Sequence, residues 1–254
     1  MARFKFILAA LVVAFVSGRL LAADQKTVLL VGQSPDGHPR ATHEYMAGVE
    51  LLAKLLEPTS GLKVTTVQAD EPWSDGPRVL GEVDGVVLFL SEGARWTQAD
   101  PRRRDALARL AARGGGFIAL HWAMGTKSAE PIEPFLKLLG GCHGGPDRKY
   151  RVVETELRIA DPAHPVAAGL ENFRVRDEFY YQLKLVGPPQ GVRSLLEAAI
   201  DGRAETVAWT WERPDGGRSF GFTGLHFHEN WNLPQYRKLV AGAVLWTLDL
   251  PVAR

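Results

Sequence analysis

The stretch Gly114-Gly115-Gly116-Phe117-Ile118-Ala119-Leu120-His121-Trp122-Ala123 constrains this chain more than any other, because it reads as a buried strand that stops abruptly at a polar side chain. An apolar run bounded by glycines and preceded by a helical pattern is the signature of an inner strand of a parallel sheet. Ligands of open α/β sheets bind outside the carboxyl ends of such strands. His121 therefore marks the expected rim of a site.

The neighbouring segments extend the same pattern. Thr27–Val31 is a short β-branched and leucine run ending at Gly32, followed by a polar turn from Gln33 to Thr42. Met46, Val49, Leu52, Ala53 and Leu56 then recur at helical spacing and stop before Pro58, with His43 and Glu44 at the entry to that helix. Leu62–Gln68 alternates as a second strand, and the apolar run ending at Leu90 is the third. Asp100 and Pro101 open a helix whose buried stripe is Leu107, Leu110 and Ala111; Arg102, Arg103 and Arg104 read as its solvated face. Strands alternating with helices over short connections predict a flavodoxin-like, doubly wound, mostly parallel sheet with helices on both faces.

Beyond Gly125 the pattern loosens into strands at Tyr150–Ile159, Phe173–Leu185, Ser194–Ile200, Thr206–Trp211 and Arg218–Thr223, closed by a helix over Pro234–Leu248. The chain has 254 residues, of which 46% are hydrophobic, enough to bury one large core. A formal net charge of +1 and the lack of a basic stripe interleaved with aromatics argue against nucleic acid as a partner. Arg3 and Lys5 precede the apolar run Phe6–Val16, and Ala22 and Ala23 follow. This layout predicts a signal peptide over residues 1–23, a single domain over 24–254, export to the periplasm or outside the cell, and no stable membrane span after cleavage. The one cysteine, Cys142, excludes an intrachain disulfide; within Gly-Gly-Cys-His-Gly-Gly it reads as a bystander thiol on a flexible loop.

The candidate chemistry is carried by histidines. Alternate residues of an extended chain share a face, so His226 and His228 can point together at one site, and His121 can join them as metal ligands. With His38 and His43, five of the seven histidines are expected at one rim. A divalent metal ion such as zinc is the candidate cofactor. His121, Glu178 and His228 are the candidate catalytic residues, and His38, His43, Glu44, Asp177, Tyr180 and Trp231 the candidate substrate contacts. Asp177 and Glu178 suit a general base or an oxygen ligand, or else ion pairs with Arg174 or Arg176. Tyr180, Tyr181 and Trp231 suit either an apolar wall for a sugar ring or the core. Arg213 reads as a surface residue.

Several ordered blocks together resemble the ThuA-like (trehalose utilisation) family, whose domains look like class I glutamine amidotransferases. They are His38, His43-Glu44, Leu120-His121-Trp122-Ala123, His164-Pro165-Val166, Asp177-Glu178-Phe179-Tyr180, Val207-Ala208-Trp209, Glu212–Arg218, Phe220–Gly224 and His226-Phe227-His228. The likeness spans about Thr27 to Asp249. It implies carbohydrate metabolism, in company with oxidoreductases that make keto-sugars, and a small sugar or keto-glycoside as substrate for elimination, isomerisation or hydrolysis; oligomers are compatible with it. The amidotransferases carry a nucleophilic cysteine at the elbow where this chain has His121, so glutaminase activity is not expected. His228 falls where their catalytic histidine lies, Asn230 where its acidic partner would be, and Leu225 where the family motif usually has glycine. The alternative to an enzyme is a sugar-binding module without turnover.

Overall fold

The computed structural model describes residues 25–252, so the expected signal segment lies outside the described residues. In chain order the elements are β1 (Lys26–Gly32), α1 (Tyr45–Leu56), β2 (Leu62–Gln68), α2 (Gly76–Gly81), β3 (Gly85–Leu88), α3 (Gly93–Ala99), α4 (Pro101–Ala112) and β4 (Gly116–Leu120). There follow β5 (Gly125–Thr126), α5 (Ile132–Leu139), β6 (Gly141–Gly144), β7 (Lys149–Ile159), β8 (Phe173–Tyr181), β9 (Lys184–Leu185), β10 (Arg193–Ile200), β11 (Arg203–Glu212), β12 (Arg218–Phe222) and α6 (Pro234–Thr247). No helix among the described residues is long and apolar enough to cross a membrane.

One nine-stranded sheet runs β2-β1-β3-β4-β12-β11-β10-β7-β8. Its first five strands pair in parallel, in the flavodoxin-like order that the alternating sequence pattern predicts. From β12 onward the pairing turns antiparallel, so the sheet gains a four-strand extension made of hairpins. The division follows from connection length. Parallel neighbours need helical crossovers, which the first half supplies, whereas β10, β11 and β12 are joined by turns such as Asp201-Gly202 and Pro214–Gly217 that permit only antiparallel return.

Successive side chains of the inner strands feed opposite faces. Val28, Leu30, Val87, Ile118 and Leu120 pack with α1 and α6, while Leu29, Val31, Leu88, Phe117 and Ala119 pack with α2 to α5. Two cores thus clamp the parallel strands and hold their carboxyl ends rigidly. The Asp100 carboxylate accepts the Arg102 N–H at 2.8 Å and, with Pro101, starts α4 as its sequence predicts.

Three readings of the sequence need correction. Gly141–Gly144 is a buried strand, pinned between β5 and β9, and not a flexible loop. Within the arginine triplet only Arg102 and Arg104 are solvated; Arg103 is buried, donates to the Trp96 carbonyl and the Glu71 carboxylate, and lies 4.0 Å from the Trp96 ring. Arg213 is likewise buried. Its guanidinium donates to the Gly115 carbonyl at 2.7 Å, the Arg218 carbonyl at 3.1 Å and Ser219 Oγ at 2.9 Å, and pairs with Asp215 at 3.1 Å. It ties the β11–β12 hairpin to the start of β4, the strand that delivers His121. A periodicity argument misses such residues because it scores polarity and not the carbonyls a folded chain leaves to be satisfied.

Replacing Arg213 by methionine keeps the volume and strips the Gly115 and Arg218 carbonyls and Asp215 of their donor. Urea unfolding of this variant is expected to show a loss of about 2–4 kcal/mol; a change within about 0.5 kcal/mol, the scale of an ordinary surface substitution, would show the tie to be dispensable.

Candidate functional site

β4 ends at Leu120, and the next residue takes a left-handed backbone conformation, φ +50 for His121, that swings its imidazole over the end of the sheet. His121 is fully buried, and its Nδ1 lies 2.8 Å from the Thr223 carbonyl oxygen. A carbonyl only accepts, so Nδ1 carries the proton and Nε2 presents a bare lone pair. His43 arrives from the loop after β1, also at positive φ (+53), and its Nδ1 lies 2.9 Å from the Asp36 carboxylate, which again leaves Nε2 bare. Tyr45 Oη donates to the same carboxylate at 2.7 Å. Burial works against charging Asp36, yet the hydrogen bonds from His43 and Tyr45 hold its carboxyl well below the usual range.

His226 completes the group. The His43 N–H donates to the His226 carbonyl at 3.1 Å, and Thr42 bridges to Phe227, so the β1 loop is stitched to the segment leaving β12. The three facing nitrogens form a nearly equilateral triangle. His43 Nε2 to His226 Nδ1 is 3.0 Å, His121 Nε2 to His43 Nε2 is 3.0 Å and His121 Nε2 to His226 Nδ1 is 3.1 Å. Glu178 Oε1 stands 3.6 Å from His226 Nδ1 and 3.8 Å from His121 Nε2, and Tyr180 Oη is 3.0 Å from His121 Nε2.

Electrostatics keep the His121 and His226 rings neutral. Burial, then the neighbouring His43 and His226, holds His121 well below the ordinary imidazole range; burial with His43 brings His226 down to about 4. Burial, reinforced by Asp177, pushes Glu178 up to about 7. Burial drives the Tyr180 hydroxyl well above its usual range, so it stays protonated.

Such an arrangement is suited to a divalent cation. Two nitrogens at about 2.0–2.1 Å on a tetrahedral ion would be about 3.3 Å apart, close to the observed edges. His43 Nε2 and His121 Nε2 face each other at 3.0 Å, close enough for one cation to bind both. The Thr223 carbonyl and the Asp36 carboxylate behind the two rings are the kind of outer partners that orient metal-binding imidazoles.

Beside the triangle opens a cleft of about 220 Å³. It is lined by Asp36, His38, His43, Ser91, Trp122, Lys127, His143, Arg148, Tyr150, Glu178 and Tyr180, among which the Tyr150 ring is exposed. His38 stacks on His43 with ring centroids 3.7 Å apart and approaches Asp36 at 2.7 Å.

The sequence-predicted residues divide clearly. His38, His43, His121, Glu178, Tyr180 and His226 meet at the cleft. His228 does not belong to the triangle, because the chain leaves the extended form there and winds into a short 3-10 turn, His228–Asn232. Its N–H donates to the Ala41 carbonyl at 2.8 Å, and His43 occupies the third corner. Trp231 is core, packed on Phe89 and against Gly48. Glu44 accepts the Ala41 N–H at 3.2 Å and lies outside the cleft lining. Asp177 is fully buried beneath the site, not in it: its carboxylate accepts from the Leu225, His226 and Glu178 N–H groups at 2.7, 3.2 and 2.9 Å and from Tyr236 Oη at 3.0 Å. Arg174, considered above as an ion-pair partner, instead meets Glu154.

Asp36, Tyr45 and His143 were not singled out from the sequence. The signal for Asp36 lay in its place two residues before His38, in the loop leaving β1. Nothing local marks His143, whose ring stacks on Tyr180 at 4.0 Å and 6°.

The sequence profile of the ThuA family, described as trehalose utilisation, matches residues 28–247. The chain belongs to the ThuA family. Two ThuA-like proteins of known structure, from Bacteroides uniformis and Parabacteroides merdae, are each 18% identical to it. They superpose with TM-scores of 0.69 and 0.68, covering 89% and 91% of this chain and 92% of each of theirs. A glutamine amidotransferase from Thermotoga maritima, 9% identical, superposes at 0.50 over 89% of this chain and 99% of its own, a likeness of fold alone. No functionally curated protein matches the sequence. In this ThuA-family chain the elbow holds an imidazole, and Cys142, buried on β6 with its thiol pushed up to about 12 by burial, is no substitute nucleophile.

Asp177→Asn turns an amide NH₂ toward donors and is expected to cost about 2–3 kcal/mol in urea unfolding, against about 1 kcal/mol for Tyr236→Phe, which removes one donor only. Equal losses would refute the view that Asp177 anchors several backbone groups at once.

Burial brings His143 down to about 3. The unfolded chain then takes up a proton near the ordinary imidazole value that the folded chain refuses, so His143 withdraws stability as pH falls from about 6.5 toward 3. His143→Phe keeps a ring against Tyr180 and should flatten the fall in stability between pH 6 and pH 4 by about 1.4 kcal/mol per pH unit. An unchanged slope would mean that His143 is charged in the fold.

Proposed function

We propose that this protein is a divalent-metal enzyme of carbohydrate metabolism, in which His43, His121 and His226 hold the ion and Glu178 moves a proton on a keto-glycoside bound in the cleft. The observation that carries this reading is the convergence of three imidazole nitrogens at 3.0–3.1 Å beside a carboxylate that burial has brought to about 7. A three-histidine set with room for a further ligand is the donor pattern of catalytic zinc, and oxygen-seeking ions are poorly matched by it. Bound there, the ion would polarise a substrate carbonyl or hydroxyl oxygen. Membership of a family described as trehalose utilisation supports a sugar as substrate.

The protein groups then have defined tasks. A keto group acidifies the neighbouring C–H, and Glu178, poised near neutrality, accepts that proton. The electron pair left on carbon forms the C=C bond as the glycosidic C–O bond breaks, and the departing oxygen recovers a proton from the acid so formed or from His38 at the cleft mouth. Elimination results, and addition of water across the new C=C bond gives net hydrolysis; where the C–O bond stays intact, the enediolate takes the proton back at the former carbonyl carbon while the proton of the neighbouring hydroxyl passes to the former carbonyl oxygen, which is isomerisation. Tyr180, held protonated, donates a hydrogen bond toward the reacting oxygen, and Trp122 and His143 narrow the space around the ring.

Metal analysis of the purified full chain is expected to find about one equivalent of a divalent transition ion, lost in His121→Ala and retained in Glu178→Gln. With 3-keto-glycosides as substrates, Glu178→Gln should lower turnover by about 10²–10⁴-fold, the usual contribution of a general base. Absence of metal from the wild type, or an active Glu178→Gln, would defeat the proposal; tight binding of the sugar without turnover would make the protein a binding module instead.

A further inference from the structure

Two large apolar side chains stand exposed among the described residues: Tyr150 at 58% and Val152 at 41%. Both lie on β7, and the β7–β8 register pairs Tyr150 with Tyr180 and Val152 with Glu178. Side chains of directly opposed residues project from the same face of a sheet. Tyr150 and Val152 therefore continue, outward, the face that presents Glu178 and Tyr180 to the cleft, and Tyr150 is itself part of the cleft lining. Arg148, half-buried at the same mouth, is held by its contact to the Gly145 carbonyl at 3.2 Å and keeps further N–H groups for a ligand.

An exposed aromatic face beside a ring of donors is what a pyranose or an aryl group needs: C–H bonds or a π face on one side, and hydrogen bonds at the edge. Resting on the sugar reading above, we infer that Tyr150, flanked by Val152 and Arg148, forms an outer subsite that binds the second ring of a glycoside while its first ring faces Glu178. The substrate class is thereby narrowed to glycosides whose leaving part carries a flat ring, saccharide or aromatic, as opposed to free monosaccharides. The position argues for substrate and against a partner protein, since the exposed ring is continuous with the cleft and directly opposite Tyr180.

The test compares methyl 3-keto-glucoside, 3-keto-cellobiose and 4-nitrophenyl 3-keto-glucoside on the full chain, with turnover and titration calorimetry read in parallel. Tyr150→Ala is expected to raise KM for the two ring-bearing glycosides about 5–20-fold with kcat within about twofold, the mark of a group that binds ground and transition states equally. Methyl 3-keto-glucoside should be unaffected, and Tyr150→Phe should behave as wild type. Whether cellobiose or the nitrophenyl compound loses more identifies the outer ring as saccharide or aromatic. If all three respond alike to Tyr150→Ala, or none responds, the outer subsite is overturned while the sugar reading stands. If wild type neither turns over nor binds any of the three, the sugar reading falls and takes this inference with it. A dimer in sedimentation velocity that Tyr150→Ala dissolves without a change in KM would assign the ring to self-association, overturning the subsite.

Discussion

The site depends on one buried carboxylate. Asp177 sits on β8, in the antiparallel extension, yet it receives N–H groups from Leu225 and His226 beyond β12 and a hydroxyl from Tyr236 on α6. A carboxylate at zero exposure without such donors would cost several kcal/mol. The donors in turn explain why the chain tolerates φ +77 at Leu225, a non-glycine residue in the left-handed region. The family likeness led one to expect glycine there to allow a tight turn; the turn forms regardless, because Asp177 grips its N–H. Gly224, one residue earlier, lets Asp177 approach, since a Cβ there would lie 3.0 Å from its Oδ2.

Holding that turn fixes the next residue, His226, and through it the triangle of nitrogens. His43 and His121 are each set at positive φ as well. Strain at three of the residues that build one small site is a concentration that the two flanking cores can sustain, because the strand ends from which the loops depart are buried on both faces. The hydrogen bonds at the rear of His43 and His121 turn their Nε2 atoms toward each other and, for His121, toward the Tyr180 hydroxyl. Three imidazole nitrogens held this close, with outer hydrogen bonds fixing two of the rings, form a donor set that a single cation could share.

How much of this was legible in the sequence follows from the range of each signal. Apolar runs ended by glycine located the parallel strands, because burial on both faces writes hydrophobicity into every position. Helical spacing found α1, α4 and α6 for the same local reason. The rim histidines followed once strand ends were known, and His38, His43, His121 and His226 do gather there. What local reasoning could not supply was the third corner of the triangle. Alternation at His226 and His228 assumes an extended chain, and the 3-10 turn beginning at His228 breaks that premise. His43 takes the place through the Thr42–Phe227 bridge, a contact between residues far apart in sequence. Trp231, Arg103 and Arg213 failed for a related reason: whether a large or charged side chain is buried depends on carbonyls and rings contributed by other segments.

The two halves of the sheet hold different parts of the chemistry. His43, His121 and His226 leave carboxyl ends of parallel strands, the location that open α/β sheets give to ligands generally. Glu178, Tyr180 and Tyr150 come from the antiparallel β7–β8 pair, whose buried residues join the same cores as the parallel strands. At the elbow after β4 this chain places an imidazole whose rear nitrogen, Nδ1, is committed to the Thr223 carbonyl, which leaves Nε2 to face the other two imidazoles. The β7–β8 pair supplies two carboxylates that burial raises toward neutrality, and of these Glu178 lines the cleft while Asp177 lies buried beneath it. Each half of the sheet thus brings its own groups to one place: imidazoles from the ends of the parallel strands, and a carboxylate and a hydroxyl from the antiparallel pair.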